Sequence, residues 1–579
     1  MTLRGLVATK STEENPKCRA AIDWDNVRLI AHNAQFDALV LKLEYGFVPK
    51  EFFCTMMGAR PHIVPFSKKM SLDAVAQQLL CPIRKGDTVA KMSGITYWEM
   101  SPYMLLEYGD YCIHDTDICR FIYDYETAAI TDDERLTIHL TVYKSIMPQL
   151  VLDLPMVRDA LILEIERKIQ LFNATGISKE TIMSNNKFAD ALKALGVSPP
   201  MKVSARTGNA AFAFAKTDQG MQDLLKHHNP KVAQLVECRM NGKSTIEETR
   251  LTRFHDVASG LSGDMPFPLM YYAAHTGRMG GNDKLNMQNL TKKSVLRKAL
   301  KAPVGYKVVV SDLSQIEARM VAWLAGQEDM LADFRDPLQD VYCNFGTGLG
   351  IFGVVTKDTY DTRFISKTGV LSLMYNAGVP RFHDAVNTSP YYDGEINEGT
   401  ASKVVYGYRD RYAKIPQLWQ RLQGYLAGMI EGLTYEYKGL RFVGYGEADF
   451  YGGAPCVLLP AGRRIYFPNL RHKDGEMVYD SNLGRGHTKR LYGGAALENI
   501  SQALAQIVIR DNELRIARKS KFNFAAGQVH DELIFVVKDA LVPTFTKMVN
   551  HEMCQADEFF TGLPLACETD NAQDYGSCK

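Results

Sequence analysis

Apolar and polar positions alternate in a way that places acidic residues at the ends of buried strands. Lys307-Val-Val-Val-Ser311 is a β-branched run that reads as a buried strand, and Ile316, Met320 and Leu324 then recur at helical spacing, so Asp312 falls where a strand turns into a helix. More than two hundred residues later, Gly527-Gln-Val-His-Asp-Glu-Leu-Ile-Phe-Val-Val537 places Asp531 and Glu532 at a bend between two apolar runs. Val27–Ala31 reads as a strand, Val157, Leu161, Ile165 and Ile169 mark one face of a long helix, and Leu458–Arg464 reads as a strand and turn ahead of a helix opening at Glu498. Arg363, Lys367, Leu371 and Tyr375 recur every four residues, along one side of a helix. These patterns predict an α/β chain of several domains.

Composition narrows the classes. At 579 residues the chain is too long for one core, and 46% hydrophobic residues are ample for globular packing. No apolar run approaches the roughly 18 residues of a membrane span, and Met1-Thr-Leu-Arg-Gly5 carries no signal-peptide core, so no membrane partner and a cytoplasmic location are expected. Eleven cysteines without a CxxC pair fit reduced thiols rather than a disulfide framework or a zinc site. The net charge is only +1, so any grip on nucleic acid must come from segregated charge. Lys292, Lys293, Arg297, Lys298 and Lys301 form such a cluster: a solvated basic face or, as we favour here, phosphate contacts.

Two fixed aspartates from distant segments suggest a shared metal site, and hard oxygen ligands of this kind suit Mg²⁺ held jointly with substrate phosphates. Arg363 and Lys367 could bind the phosphates of a nucleotide while Leu371 and Tyr375 lie under its sugar and base. Ser314-x-x-Glu317 also matches a helix capping box, which would give Glu317 a structural role. The glycines of Gly346-Thr-Gly-Leu-Gly350 have no preceding strand and no following Gly-Lys-Ser/Thr, so a plain interhelical loop is expected.

Asp312-Leu-Ser-Gln-Ile-Glu317, Arg363-x-x-x-Lys367 with Tyr375, and Val529-His-Asp-Glu532 resemble motifs A, B and C of the family A DNA polymerases, in that family's order. Thr276-Gly-Arg278 and Asn286-Met-Gln-Asn289 are similar to segments that precede motif A. The overall likeness is to phage and prophage replicative enzymes. It implies a right-hand polymerase, with a thumb at 131–260, the first part of the palm at 261–335, fingers at 336–450 and the second part of the palm at 451–579. The implied cofactor is two Mg²⁺ ions on Asp312 and Asp531, with Mn²⁺ as a substitute. The implied partners are primer–template DNA, deoxynucleoside triphosphates and replication accessory proteins. Arg363, Lys367, Leu371, Tyr375, Gln315 and Glu317 would face the nucleotide, Lys367 protonating the leaving pyrophosphate and Glu317 crowding a 2′-hydroxyl. Arg278, Asn286, Gln288, Gln502 and His530 would face DNA, although a buried structural amide is an equal reading of Gln502. Phe212-Ala-Phe214, Lys216 and the stretch Arg239–Arg250 with Lys243-Ser-Thr245 suit phosphate contacts by the thumb. Departures from the family are Tyr342 for a common His, Leu371 for Phe or Tyr, and Asn376 for Gly.

Residues 1–130 resemble part of a ribonuclease H-like 3′–5′ exonuclease. His32-Asn-Ala-Gln-Phe-Asp37 and Tyr111-Cys-Ile-His-Asp115 are similar to its second and third motifs. By that resemblance Asp37 and Asp115 would be metal ligands, Tyr111 would orient water, and Asn33 belongs to the same element. The family's first motif, an Asp-x-Glu on an early strand, is missing: Glu13-Glu14 and Asp23-Trp-Asp25 lie too close to Asn33. The domain therefore reads as lacking its first strands, either shortened or turned into a scaffold, with weak or absent proofreading. The function expected is template-directed DNA synthesis. An inactive DNA-binding scaffold and a single-subunit RNA polymerase are the alternatives, and Glu317 speaks against the second.

Overall fold

The computed structural model describes residues 23–578 except 205–207, 217, 244, 447–452, 482–486 and 521–523. Glu13, Glu14 and Ser244 lie outside the described residues. Asp23 accepts a hydrogen bond from Asn26 Nδ2 at 2.7 Å, in a turn ahead of the first strand.

Strand β1 (Arg28–Ala31) runs parallel to β2 (Glu51–Cys54), with helix α1 (Ala34–Tyr45) between them. The 26-residue helix α2 (Pro102–Thr127) starts at a Ser101 cap whose Oγ accepts from Met104 N, with proline in its first turn, where the missing N–H costs nothing. Its Ile118, Cys119 and Ile122 face a small core with Val75 and Ala76. Near its end Glu126 is buried beside Gly58, where an added Cβ would meet the carboxylate. Both Glu126 oxygens lack hydrogen-bond partners among the described residues, and burial holds its pKa well above the usual carboxylate range. Because the folded-state value is raised, stability is full below about pH 4 and falls as the pH climbs toward that value. Glu126→Gln is therefore expected to match the parent near pH 4 and to exceed it by about 1–3 kcal/mol at pH 8, as read by chemical denaturation at the two pH values.

Helix α3 (Asp132–Ile146) leads to α4 (Leu154–Thr175), which packs along a second long helix, α5 (Ile246–Gly260). The expected long helix forms, but its apolar face is buried only at the base. Val157 is fully covered, whereas Ile165 and Ile169 are 40% and 52% exposed. The segment between α4 and α5 has its own core of Ile182, Phe188, Leu192, Met221, Val232 and Val236. Arg239 is buried there, its guanidinium over the Phe188 ring at 5.0 Å and hydrogen-bonded to the Ile182 carbonyl and Asn185. It is a core residue and not the surface phosphate contact that its sequence neighbourhood suggests.

The central sheet is antiparallel. Strand β3 (Tyr306–Leu313) leads into helix α6 (Ile316–Ala325), which is followed by α7 (Val341–Gly348) and α8 (Tyr360–Leu373). The 27-residue helix α9 (Gly493–Lys519) is buried on nearly every side. Strands β4 (Gly527–Val529) and β5 (Glu532–Lys538) form a hairpin, and helix α10 (Val542–Met553) and strand β6 (Cys567–Ala572) complete the module. The strand order is β4-β5-β3-β6. Val308, Val309 and Val310 are buried as their β-branched run implies. Gly346 and Gly348 lie in α7 and not in a loop. A Cβ at Gly346 would collide with Ser366 of α8, so the glycine lets the two helices approach closely.

Candidate active site

Register brings the two aspartates together. Asp312 pairs with Glu532 on one side of β3 and with Glu568 on the other. The β4–β5 turn contains His530, at φ 54, and Asp531. Leu313 N donates to the Asp531 carbonyl at 3.1 Å, which pins the turn against the end of β3. Asp312 opens onto a cavity of about 300 Å³ lined also by Lys292, Val310, Glu568, Thr569 and Asp570. Burial and then the Asp531 carboxylate raise the Asp312 pKa to about 7, and burial raises Asp531 as well. Two mutually repelling, partly desolvated carboxylates are what a divalent cation neutralises, so this pair fits a hard-metal site that substrate phosphates would complete.

Glu532 faces away from that role. Its carboxylate accepts from Tyr575 Oη and sits 3.4 Å from Arg297 Nη2, with Arg297 stacked on the Tyr575 ring at 3.8 Å. Arg297 is thus an internal counter-charge, and Lys301 is paired to Asp153 at 2.6 Å. Of the basic cluster, Lys292, Lys293 and Lys298 remain exposed for phosphate contact.

The capping-box reading of Glu317 fails. Helix α6 is preceded by Gln315 in the left-handed region, φ 48, and no side chain caps it. Gln315 is instead tied down by Arg319, whose Nη2 donates to Oε1 at 3.3 Å. Glu317 accepts from Arg278 Nη2 and, at 2.7 Å, from Tyr375 Oη, which also hydrogen-bonds Ser501 at 2.9 Å. Arg278, Glu317 and Tyr375 therefore form one network at the mouth of the site.

On α8, Arg363 is held by Asp340: Nη2 lies 2.6 Å and Nε 3.1 Å from Oδ2. The other oxygen of Asp340 caps α7 by accepting from Tyr342 N and Cys343 N. Lys367, one turn on, is exposed and has no ion pair among the described residues. Leu371 is half-buried, and Tyr375 stands just past the helix, which ends at Leu373. Asn376 has φ 66, a conformation asparagine tolerates better than most side chains, so the turn is kept without the common glycine. Gly494, at the start of α9, has no room for a Cβ, which would lie 2.5 Å from the Tyr375 carbonyl oxygen. Tyr342 is buried, its ring 5.7 Å from the Arg363 guanidinium.

His530 is exposed. Gln288 is buried, its amide 3.5 Å from the Gln528 carbonyl, and Asn286 packs against Gly281. Gln502 is half-buried and donates to Glu498 at 3.3 Å. Asp340, Ser501 and Glu568 had no role in the sequence reading. Asp340 had a local signal, an acidic residue just before an apolar helical run. Glu568 had none, because only strand register sets it opposite Asp312.

In the N-terminal segment Asn33 precedes α1 in the left-handed region, φ 68, and Asp37 lies in the first turn of α1. Tyr111 and Asp115 are one turn apart on α2. Lys85 Nζ lies 2.7 Å from Asp115 Oδ2 and 5.1 Å from the centre of the Tyr111 ring, so an ammonium already neutralises that carboxylate. Among the described residues no group of three His, Cys, Asp or Glu side chains is placed to hold a metal ion.

Comparison with known proteins agrees with this geometry. The DNA polymerase family A profile matches residues 159–435, and a 3′–5′ exonuclease profile matches residues 7–125. DNA polymerase I of Pseudomonas aeruginosa is 27% identical over 312 residues, 53% of this chain and 29% of that protein. The DNA polymerase of Bacillus phage SP02 is 27% identical over 264 residues, 42% of this chain and 37% of its own length. The thermostable DNA polymerase I of Thermus aquaticus is 26% identical over 369 residues, 63% of this chain and 38% of that protein. The chain thus spans well under half of these relatives. In structure it is similar to the POL domain of Pol1 from M. smegmatis, solved with DNA primer-template and dNTP, at a TM-score of 0.62 and 16% identity, covering 98% of this chain and 89% of that one. The motifs stand in that family's order, Asp312 and Asp531 are joined by strand register, and the fold is shared along almost the whole length: residues 159–435 match DNA polymerase family A, and residues 7–125, ahead of them, match a 3′–5′ exonuclease.

Proposed function

We propose that the chain is a template-directed DNA polymerase of the phage replicative type, adding deoxynucleotides to a primer 3′-hydroxyl. The observation that carries this is the strand register that pairs the end of β3 with the β4–β5 turn, which brings the repelling carboxylates of Asp312 and Asp531 together, with Asp312 lining a cavity. Family A polymerases use divalent metal ions. In this chain Asp312 and Asp531 would hold two Mg²⁺, with Mn²⁺ as a substitute, supplying activation of the primer hydroxyl and charge neutralisation on the triphosphate. The central sheet with α6 and α9 is the palm, α7 and α8 belong to the fingers, and α4 to α5 is the thumb.

The chain's own groups do the positioning. Asp340 fixes the Arg363 guanidinium on α8, leaving its remaining N–H groups for the β- and γ-phosphates. Lys367 binds the same phosphates and is the proton donor to departing pyrophosphate. Arg278 reaches the minor groove at the primer terminus, where acceptors are present on every base pair. Glu317, held from two sides, stands where a ribose 2′-hydroxyl would arrive and favours deoxynucleotides.

A labelled primer–template with Mg²⁺ tests this in three tubes: dNTPs, NTPs, and neither. Extension is expected with dNTPs only. Glu317→Ala is expected to raise NTP incorporation relative to dNTP by at least tenfold, since removing a clash of about 1.4 kcal/mol or more gives that factor. Extension with NTPs alone by the parent would favour an RNA polymerase, and no extension at all a DNA-binding scaffold. The Lys85–Asp115 pair supports impaired proofreading, so the primer without nucleotides is expected to stay intact over the same interval.

A further inference from the structure

At the β6 edge of the palm sheet, two cysteines from different elements meet. Cys554 caps the C-terminus of α10 and is exposed; Cys567 is the first residue of β6 and is partly exposed. Their sulfurs share a hydrogen bond 3.8 Å long. Asn550, one turn back on α10, lies against Cys567: the Cys567 sulfur is 3.7 Å from its carbonyl oxygen and 3.6 Å from its side-chain oxygen, which also accepts from Thr569. The stretch Gln555–Asp557 after Cys554 is exposed, so an approaching molecule meets Cys554 first. Cys112 is also exposed but has no sulfur contact among the described residues.

We propose that Cys554 and Cys567 form a thiol–disulfide exchange site, which reacts with small aliphatic disulfides and closes into an intramolecular Cys554–Cys567 bond. The hydrogen bond from the neighbouring thiol holds the Cys554 pKa low, to about 6, with the Arg319 guanidinium adding to the effect, while Cys567 is pushed up. The exposed sulfur is therefore the one poised as thiolate, the reactive form. In the first step the Cys554 thiolate attacks one sulfur of the disulfide R–S–S–R, forming a mixed disulfide and expelling RS⁻. In the second, Cys567 gives up its proton and attacks the Cys554 sulfur, expelling the other RS⁻. The two cysteines lose two electrons and two protons in all, and R–S–S–R leaves as two RSH. Bond formation needs the sulfurs to close from 3.8 Å to about 2.05 Å. The capping position of Cys554 and the exposed loop after it allow that movement. The bond would tie α10 to β6 next to Glu568, the residue across from Asp312.

The test uses the whole chain, glutathione disulfide as the probe, and alkylation followed by peptide mapping. The parent is expected to yield a peptide cross-linked between Cys554 and Cys567, lost on adding dithiothreitol, while Cys112 carries only a glutathione adduct. Cys567→Ser is expected to raise the glutathione adduct on Cys554 at least tenfold over the parent, because the second step is blocked. Full alkylation of both cysteines in the oxidised parent, or a lasting adduct on Cys554 without the cross-link, would overturn the proposal.

Discussion

Asp531→Asn is expected to reduce primer extension by about 10³-fold or more while leaving the metal-free protein at least as stable as the parent. The reasoning has two parts. A carboxylate that helps hold the cations contributes several kcal/mol to stabilising charge in the transition state, and each 1.4 kcal/mol is a factor of ten. In the folded chain, however, both aspartates are buried, burial raises the pKa values of both, and the Asp531 carboxylate raises that of Asp312 further. Replacing one charge with an amide of the same shape removes that repulsion and keeps the backbone contact, since Leu313 N bonds to the Asp531 carbonyl and not to its side chain. Steady-state extension and the unfolding midpoint in EDTA are to be measured together. A variant that loses both activity and stability would mean that Asp531 is structural; retained activity would remove it from the site.

The same residues show how far sequence reaches. Asp312 and Asp531 were legible because each interrupts a strongly apolar run, and strand β3 and helix α6 follow the β-branched and i+4 patterns that mark them. Partners that depend on register or packing were not legible. Glu568 meets Asp312 only because β6 joins the edge of the sheet in one alignment. Arg239 and Arg297 read as surface cations, since charge is usually solvated, yet one is buried among Phe188 and Phe214 and the other is spent on Glu532. Ser314-x-x-Glu317 matched a capping box by spacing alone. The left-handed Gln315 placed between strand and helix turned Glu317 toward Arg278 and Tyr375 instead.

A second large effect is expected far from the chemistry, at Lys144 and Glu513. Their side chains are 1% and 3% exposed and lie 2.5 Å apart, joining α3 to the buried face of α9. Helix α9 carries Ser501, which supports Tyr375, and in its first turn Gly494 packs against the Tyr375 carbonyl, so its position sets that of Tyr375 and would set one wall of the proposed nucleotide site. Removing one member leaves an uncompensated charge out of water, and Lys144→Met is expected to destabilise by about 3–5 kcal/mol. Removing both should cost far less, because desolvating two ions roughly cancels their attraction: Lys144→Met with Glu513→Leu is expected within about 1 kcal/mol of the parent. Urea denaturation of the parent, both single variants and the double variant closes a cycle, and a coupling near zero would show that the pair does not act as a unit. The contact of Arg463 with Glu134, also on α3, involves neither substituted residue. Loss of the double variant's primer extension without loss of stability would show that the charges themselves, and not the seating of α9, matter to the site.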